Sequence, residues 1–104
     1  MKIVQVSYIS KPEYSVKNAA NIVIVMNDLK VLNHPGIFYT ACLGSDAKSF
    51  THTAYFNSEA DQHLLNELPS FRNFQEQLKA AGFESPPKQE LLSLVGSSKT
   101  LFNL

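Results

Sequence analysis

The sequence predicts one α+β domain of the ferredoxin-like class, with strands and helices in the order β-α-β-β-α-β. The length of 104 residues suits a single domain, and an apolar fraction of 44% is enough to build one core. Right-handed crossovers would place both helical regions on one face of a four-stranded antiparallel sheet. We assign residues 1–96 to this domain and residues 97–104 to a C-terminal tail.

The first half of the chain predicts a strand followed by a long helix. Apolar side chains alternate over Lys2–Ile9, and Pro12 ends this strand because proline cannot donate to a strand ladder. Apolar residues then recur at helical spacing over Val16–Asn33, with Ser15 as the N-cap. The β-branched run at residues 22–25 locally favours a buried strand. The helix is preferred because the periodic pattern is too long for an ordinary strand.

A β-hairpin is predicted after this helix. Pro35 and Gly36 form a turn, and Ile37–Leu43 is rich in residues that favour strands. The short turn at residues 44–46 separates it from Ser49–Phe56, so the two strands pair antiparallel. In the second strand one face carries Phe50, His52, Ala54 and Phe56, and the other carries Thr51, Thr53 and Tyr55.

The second helical region is predicted to contain a break. Ser58 is its N-cap, followed by acidic residues that complement the helix dipole. Proline suits the first turn of a helix and not its interior, so a separate helix covers Pro69–Ala81, and Gly82 caps its C-terminus. Residues 85–87 are predicted to form an extended linker, and Gln89–Val95 the last strand.

Charge and cysteine content narrow the functional classes. Lys+Arg and Asp+Glu both number 9, and this balance gives no long-range attraction to nucleic acid or to an anionic membrane. The longest apolar stretch, residues 22–26, is far shorter than the roughly 20 residues of a membrane span. The single cysteine, Cys42, suits a reducing compartment. We therefore expect a cytoplasmic protein that binds neither nucleic acid nor membranes.

The uncovered face of the sheet predicts a homodimer. The first strand presents a mixed set of side chains to that face: Ile3, Gln5, Ser7 and Ile9. Because this set is too apolar to face water comfortably, we expect two copies to pair sheet against sheet. The tail also contains apolar residues, namely Leu101, Phe102 and Leu104. Two interpretations of the tail stay open: disorder, or docking on its own subunit or on the partner.

A known family resembles this chain at several motifs. They are the His-Pro-Gly-Ile-Phe-Tyr run at residues 34–39, Asp46, residues 50–60 ending in Asn-Ser-Glu-Ala, and Pro-Ser-Phe at residues 69–71. This pattern resembles the dimeric α/β-barrel superfamily, nearest the antibiotic-biosynthesis-monooxygenase-like domains. The resemblance implies a homodimer with facing sheets and a cavity between each sheet and its helices. Some members oxidise aromatic substrates without metal or flavin, and no residue's catalytic role is carried over here.

Five residues are candidates for a small-molecule site. His52, between apolar strand positions, is the candidate catalytic residue, as a general base or ligand anchor; the alternative is a hydrogen-bonded, partly buried histidine. Tyr8, Tyr39 and Tyr55 are candidate ligand-binding residues whose hydroxyls could orient a carbonyl or phenol, or could simply pack at the rim of the core. His63 is a further candidate, with a solvated helix position as its alternative.

These candidates favour a hydrophobic or aromatic ligand. The three histidines have no metal-ligand spacing and no acidic cluster beside them, so we expect no metal site, and we expect no cofactor. The sequence hypothesis is a cofactor-independent monooxygenase or isomerase that acts on a small hydrophobic or aromatic compound. The alternative hypothesis is a non-enzymatic ligand-binding or dimerisation module.

Overall fold

The computed structural model describes residues 1–102. Their elements are β1 Lys2–Ser10, α1 Ser15–Leu32, β2 Ile37–Leu43, β3 Ser49–Phe56, α2 Glu59–Glu67, α3 Pro69–Ala81 and β4 Phe83–Leu92. A short 3₁₀ turn, Pro12–Tyr14, connects β1 to α1. The strands form one sheet in the order β2-β3-β1-β4, and every neighbouring pair is antiparallel. The predicted ferredoxin-like architecture is confirmed.

The helix α1 forms despite its β-branched run. Ile22 and Val25 are buried on the side that faces the sheet, whereas Val23 and Ile24 lie on the exposed side. Tertiary packing of one helical face therefore outweighs the local strand preference of these residues. The prediction that Ser15 is the N-cap is wrong, because Ser15 is the first helical residue and its hydroxyl donates instead to the carbonyl of Ala47 at 2.5 Å.

The break between α2 and α3 is confirmed. Ser58 and Asp61 form a capping box at the start of α2, as the sequence pattern at Ser58 suggests. Leu68 is extended between the two helices, and Pro69 occupies the first position of α3. Proline is tolerated there because the first backbone N–H of a helix has no intrahelical partner.

The last strand begins earlier than predicted. The strand β4 covers Phe83–Leu92, so residues 85–87 are part of it and are not a linker, and Gln89–Val95 is wrong at both ends. An edge strand tolerates two prolines because one row of its backbone groups faces outward. The pairing of β4 with β1 is irregular near Ile9, next to these prolines.

The three helices and one face of the sheet share a single core. The buried members of this core come from β1, β3 and all three helices: Val4, Tyr8, Ile22, Val25, Phe50, Ala54, Phe56, Leu65, Phe71, Phe74 and Leu78. Because side chains alternate along each strand, the neighbouring positions point to the opposite, open face.

The open face has one apolar row across all four strands. The strand registers place Phe38 beside Tyr55, Tyr55 beside Ile3, and Ile3 beside Leu92. We call these four residues the apolar row. The next two rows are polar apart from one cysteine, and contain Thr40, Thr53, Gln5 and Glu90, then Cys42, Thr51, Ser7 and Lys88. The open face is thus more polar than the sequence predicts, and its apolar residues are the apolar row at one end and Ile9, which pairs with Ser49, at the other.

Beyond β4 the described residues form no further strand or helix. Leu94 and Val95 are exposed there, whereas Leu101 and Phe102 are half-buried. Leu104, the third apolar residue of the predicted tail, lies outside the described residues.

Candidate functional site

An open cavity of about 450 Å³ lies between the sheet and α3. Its wall is largely apolar and aromatic, and includes Val6, Tyr8, Tyr39, His52, Phe71, Phe74, Gln75, Leu78, Lys79, Phe83, Pro87 and Gln89. Cavities of this size and lining are typical of sites for small organic ligands.

Four polar residues form a buried hydrogen-bond network at the inner wall of this cavity. The Tyr8 hydroxyl lies 2.8 Å from Nε2 of His52, and the Tyr39 hydroxyl lies 2.6 Å from Nδ1 of the same ring. On the far side, Nδ2 of Asn18 donates to the Tyr8 hydroxyl at 2.8 Å. We call Asn18, Tyr8, His52 and Tyr39 the histidine–tyrosine network. Both nitrogens of the imidazole are therefore occupied by tyrosine hydroxyls.

The strand registers explain why these side chains meet. His52 on the central strand β3 faces the helices because it alternates with Thr51 and Thr53. Tyr8 is opposite Phe50 on one side, and Tyr39 is opposite Ala54 on the other. Each tyrosine is thus a diagonal neighbour of His52, within reach of a long side chain.

Asn18 reaches the network from α1 and is not among the five residues predicted from the sequence. It lies on the buried side of the helix with Asn21, Ile22 and Val25. An asparagine at a core position of an otherwise apolar helical pattern is a signal that could have identified it, because buried amides need partners. Its Oδ1 atom has no hydrogen-bond partner within residues 1–102.

Burial keeps the titratable members of the network neutral. Removal from water lowers the pKa of His52 to about 4, because the charged imidazolium loses its hydration. The same effect raises the pKa of Tyr8 to about 12 and raises that of Tyr39 well above its usual value. At neutral pH the network therefore consists of an uncharged imidazole between two protonated phenols.

Aromatic rings surround the imidazole. Phe74 of α3 lies 5.4 Å from His52 between ring centroids, and Phe71 packs edge-on against Tyr39 at 6.1 Å. The Tyr8 ring stacks on Phe50 at 5.4 Å. These contacts fix the ring orientations, since aromatic pairs at such separations prefer offset or edge-to-face geometry.

A smaller cavity of about 120 Å³ adjoins the first and shares Tyr39, His52 and Phe71 with it. Four side-chain amides stand in the walls of the two cavities: Gln62, Asn66, Gln75 and Gln89. Lys79 is the single charged residue among the lining residues of both, which include no carboxylate. The walls therefore carry no negative charge, and their amides can both donate and accept hydrogen bonds.

The structure brings three of the five candidate residues together. Tyr8, Tyr39 and His52 line the cavity, whereas Tyr55 lies on the open face, where its ring is 5.6 Å from that of Phe38. His63 lies on α2 in a shallow surface depression away from the cavity. Within residues 1–102 no three histidine, cysteine, aspartate or glutamate side chains form a group suited to a metal ion.

Comparison with solved protein structures identifies the fold. A structure of an antibiotic biosynthesis monooxygenase superposes on 92% of the chain and on all of its own length, with a TM-score of 0.75 and 14% sequence identity. The chain has the fold of the antibiotic biosynthesis monooxygenase domains. The fold that the sequence resemblance implied is confirmed.

Two further structures have a similar fold at low sequence identity. A protein from Bacteroides thetaiotaomicron, provisionally named antibiotic biosynthesis monooxygenase, gives a TM-score of 0.78 at 16% identity, covering 95% of this chain and 93% of its own. SnoaB of Streptomyces nogalater, a cofactor-independent oxygenase, gives 0.65 at 13% identity, covering 95% and 96%. No protein-family model and no curated protein sequence matches the chain. At these identities the likeness concerns the fold.

The lengths and apolar content of the helices bear on whether the chain could span a membrane. No helix within the described residues is both long enough and apolar enough to cross a bilayer.

Proposed function

We propose that this protein binds a small planar aromatic molecule in the 450 Å³ cavity and oxygenates it with dioxygen alone. The observation that carries the proposal is the histidine–tyrosine network, a polar group at the wall of an otherwise aromatic cavity. An apolar cavity with a few convergent polar groups is the usual form of a ligand site. The oxygenase named among the similar structures has the same fold and uses no cofactor.

The proposed reaction balances without an added reductant. The substrate supplies two hydrogen atoms, one oxygen atom enters the product, and the other oxygen leaves with those hydrogens as water. The protein's part is to hold the ring, exclude water and keep a fixed hydrogen bond at the reacting end. The rings of Phe71 and Phe74 would contact the substrate faces, and Tyr39 with His52 would contact a polar group.

A non-enzymatic ligand-binding function is the second candidate, and one observation favours it. Both nitrogens of His52 already have partners, and its pKa near 4 makes it a weak base at neutral pH. A site built for proton abstraction would need a stronger base within reach of the ligand. This arrangement suits hydrogen bonding to a ligand better than removal of its proton.

Oxygen uptake with a panel of polycyclic phenols and aryl ketones separates these candidates. We expect uptake with at least one compound, with isotopic oxygen from the gas entering the product. The variant Tyr39→Phe should lower the rate, whereas Tyr55→Phe, the same change on the open face, should not. Saturable binding without uptake would favour the binding module, and no binding by any compound would end the proposal.

We also propose that the protein forms a homodimer through the open face. The apolar row supports this, because Phe38 is 45% exposed and Leu92 is 39% exposed at the same end of the sheet. A contact over this row would hide apolar surface that a single copy leaves in water.

Sedimentation of two matched variants tests the dimer. Leu92→Ser should shift the protein toward monomer, whereas Leu64→Ser, at an equally exposed leucine on α2, should leave the dimer intact. A monomeric wild-type protein at high concentration would contradict the proposal.

A further inference from the structure

We infer that the histidine–tyrosine network has one direction, from Asn18 through Tyr8 and His52 to Tyr39, so that Tyr39 donates its hydroxyl proton into the cavity. The ligand is then an aromatic compound with an acceptor oxygen, such as an aryl ketone or its enolate. This inference rests on the proposed ligand site and adds the chemical class that the site selects.

The direction follows from the partners of Tyr8. Its oxygen accepts a hydrogen bond from Nδ2 of Asn18, so its own proton needs a different acceptor. Within residues 1–102 the only other partner of this hydroxyl is Nε2 of His52. A buried hydroxyl proton without an acceptor is costly, so Tyr8 donates to Nε2.

Because the imidazole is neutral, the direction of the hydrogen bond from Tyr8 also fixes the direction of the hydrogen bond to Tyr39. A neutral ring has one nitrogen that accepts and one that donates. Because Nε2 accepts from Tyr8, the proton resides on Nδ1 and is donated to the oxygen of Tyr39 at 2.6 Å. The hydroxyl of Tyr39 has no other partner within the described residues, and Tyr39 lines the cavity. Its proton is therefore left for a ligand.

If every hydrogen bond in the histidine–tyrosine network ran the other way, more buried N–H groups would lack acceptors. This reversal requires the Asn18 amide to turn over, so that Oδ1 accepts from Tyr8. Both N–H donors of the amide would then lack acceptors, whereas in the observed orientation one N–H bonds to Tyr8, and the other N–H and Oδ1 have no partner within residues 1–102. Buried N–H groups without partners are rarer in proteins than under-satisfied carbonyl oxygens. The observed orientation of Asn18 is thus the one that the packing favours.

The rest of the wall agrees with an acceptor-bearing ligand. The lining of both cavities contains amides and Lys79 and no carboxylate, so it has no anionic group to receive a cationic ligand. A carbonyl or enolate oxygen can accept a hydrogen bond from Tyr39 without electrostatic repulsion by a carboxylate in the wall. An ammonium ion would find no carboxylate, and an aromatic amine could bond to the amide oxygens of the wall but would offer the Tyr39 proton no comparable acceptor oxygen.

Nitrogen-15 NMR of the histidine side chains tests the direction without a ligand. At pH 7 the His52 ring, assigned by its loss in His52→Gln, should show a protonated Nδ1 and an unprotonated Nε2. A protonated Nε2 with an unprotonated Nδ1, or protonation of both nitrogens, would overturn the inference. This measurement uses the wild-type protein and does not depend on the folding of a variant at Tyr39.

Binding of fluorenone and fluorene tests the ligand class, because fluorene has a CH2 group where fluorenone has its carbonyl. Tyr39→Phe should weaken fluorenone binding about three- to tenfold, the usual effect of one hydrogen bond, and leave fluorene unchanged. Tyr55→Phe is the control and should change neither.

The outcomes separate the two proposals. If Tyr39→Phe changes both affinities equally or neither, the inference fails while the ligand site stands. If the wild-type protein binds neither compound, the cavity is not an aromatic site and both proposals fail.

Discussion

The two faces of the sheet use polar residues in opposite ways. On the helix-covered face Tyr8, His52 and Tyr39 are joined into one hydrogen-bond network around the buried imidazole. On the open face the polar side chains are numerous and form two rows that water can hydrate. A buried polar group must have a partner, whereas an exposed one need not. The proposed ligand site therefore lies on the covered face, and the proposed dimer contact lies on the open face.

The largest expected difference between the faces is in the pH dependence of stability. Burial lowers the pKa of His52 in the folded chain to about 4, below its ordinary value of 6.5, so between these pH values the unfolded chain binds a proton that the folded chain does not. Stability present above pH 6.5 is lost as the pH falls toward 4, by roughly 3 kcal/mol. Urea unfolding at both pH values measures it.

A control at His63 isolates this effect. His52→Gln should remove the loss between pH 6.5 and 4, whereas His63→Gln, at a histidine away from the cavity, should retain it. Equal pH profiles for the wild-type protein and His52→Gln would show that His52 titrates normally and that its burial has little electrostatic effect.

A smaller difference should separate two identical substitutions on opposite faces. Tyr8→Phe leaves Nε2 of His52 and the Asn18 amide without a hydroxyl partner, and should lower the free energy of unfolding by about 1–3 kcal/mol. Tyr55→Phe removes a half-buried hydroxyl of the open face and should change it by about 0.5 kcal/mol or less. Urea unfolding at pH 7 compares them, and equal losses would mean that the network adds no stability.

The smallest expected effect concerns the open face alone. Cys42, the single cysteine, is exposed there beside Thr51. If two copies pair through this face, alkylation of Cys42 by a water-soluble reagent should slow severalfold as the protein concentration rises. A rate independent of concentration, in the range where sedimentation shows a dimer, would place the interface away from the row of Cys42.

Much of the fold could be predicted because local signals agreed with the tertiary structure. The proline at the start of α3 and the capping residue Ser58 marked the helix break correctly. The sequence places the start of the last strand too late, because Pro86 and Pro87 favour a linker. They belong to the strand β4 only because it pairs irregularly with β1 at the edge of the sheet. Edge position is a tertiary property that the sequence does not display.

The candidate site was predictable in part for the same reason. Alternation along β3 already separates Tyr55 from His52, so that candidate could have been assigned to the open face from the sequence. The pairing of Tyr8 and Tyr39 with His52 depends on strand order and register, which follow from the assembled sheet. Asn18 joins from a different element, and no local pattern names its partner.

Fluorine NMR of protein labelled with 3-fluorotyrosine tests the central claim on both faces in one sample. The chain has four tyrosines, each assignable by a Tyr→Phe variant. On titration with fluorenone, the signals of Tyr8 and Tyr39 should shift with a common saturation curve while that of Tyr55 stays in place. A saturable shift at Tyr55 with Tyr8 and Tyr39 unchanged would show that the ligand binds the open face, contrary to this account.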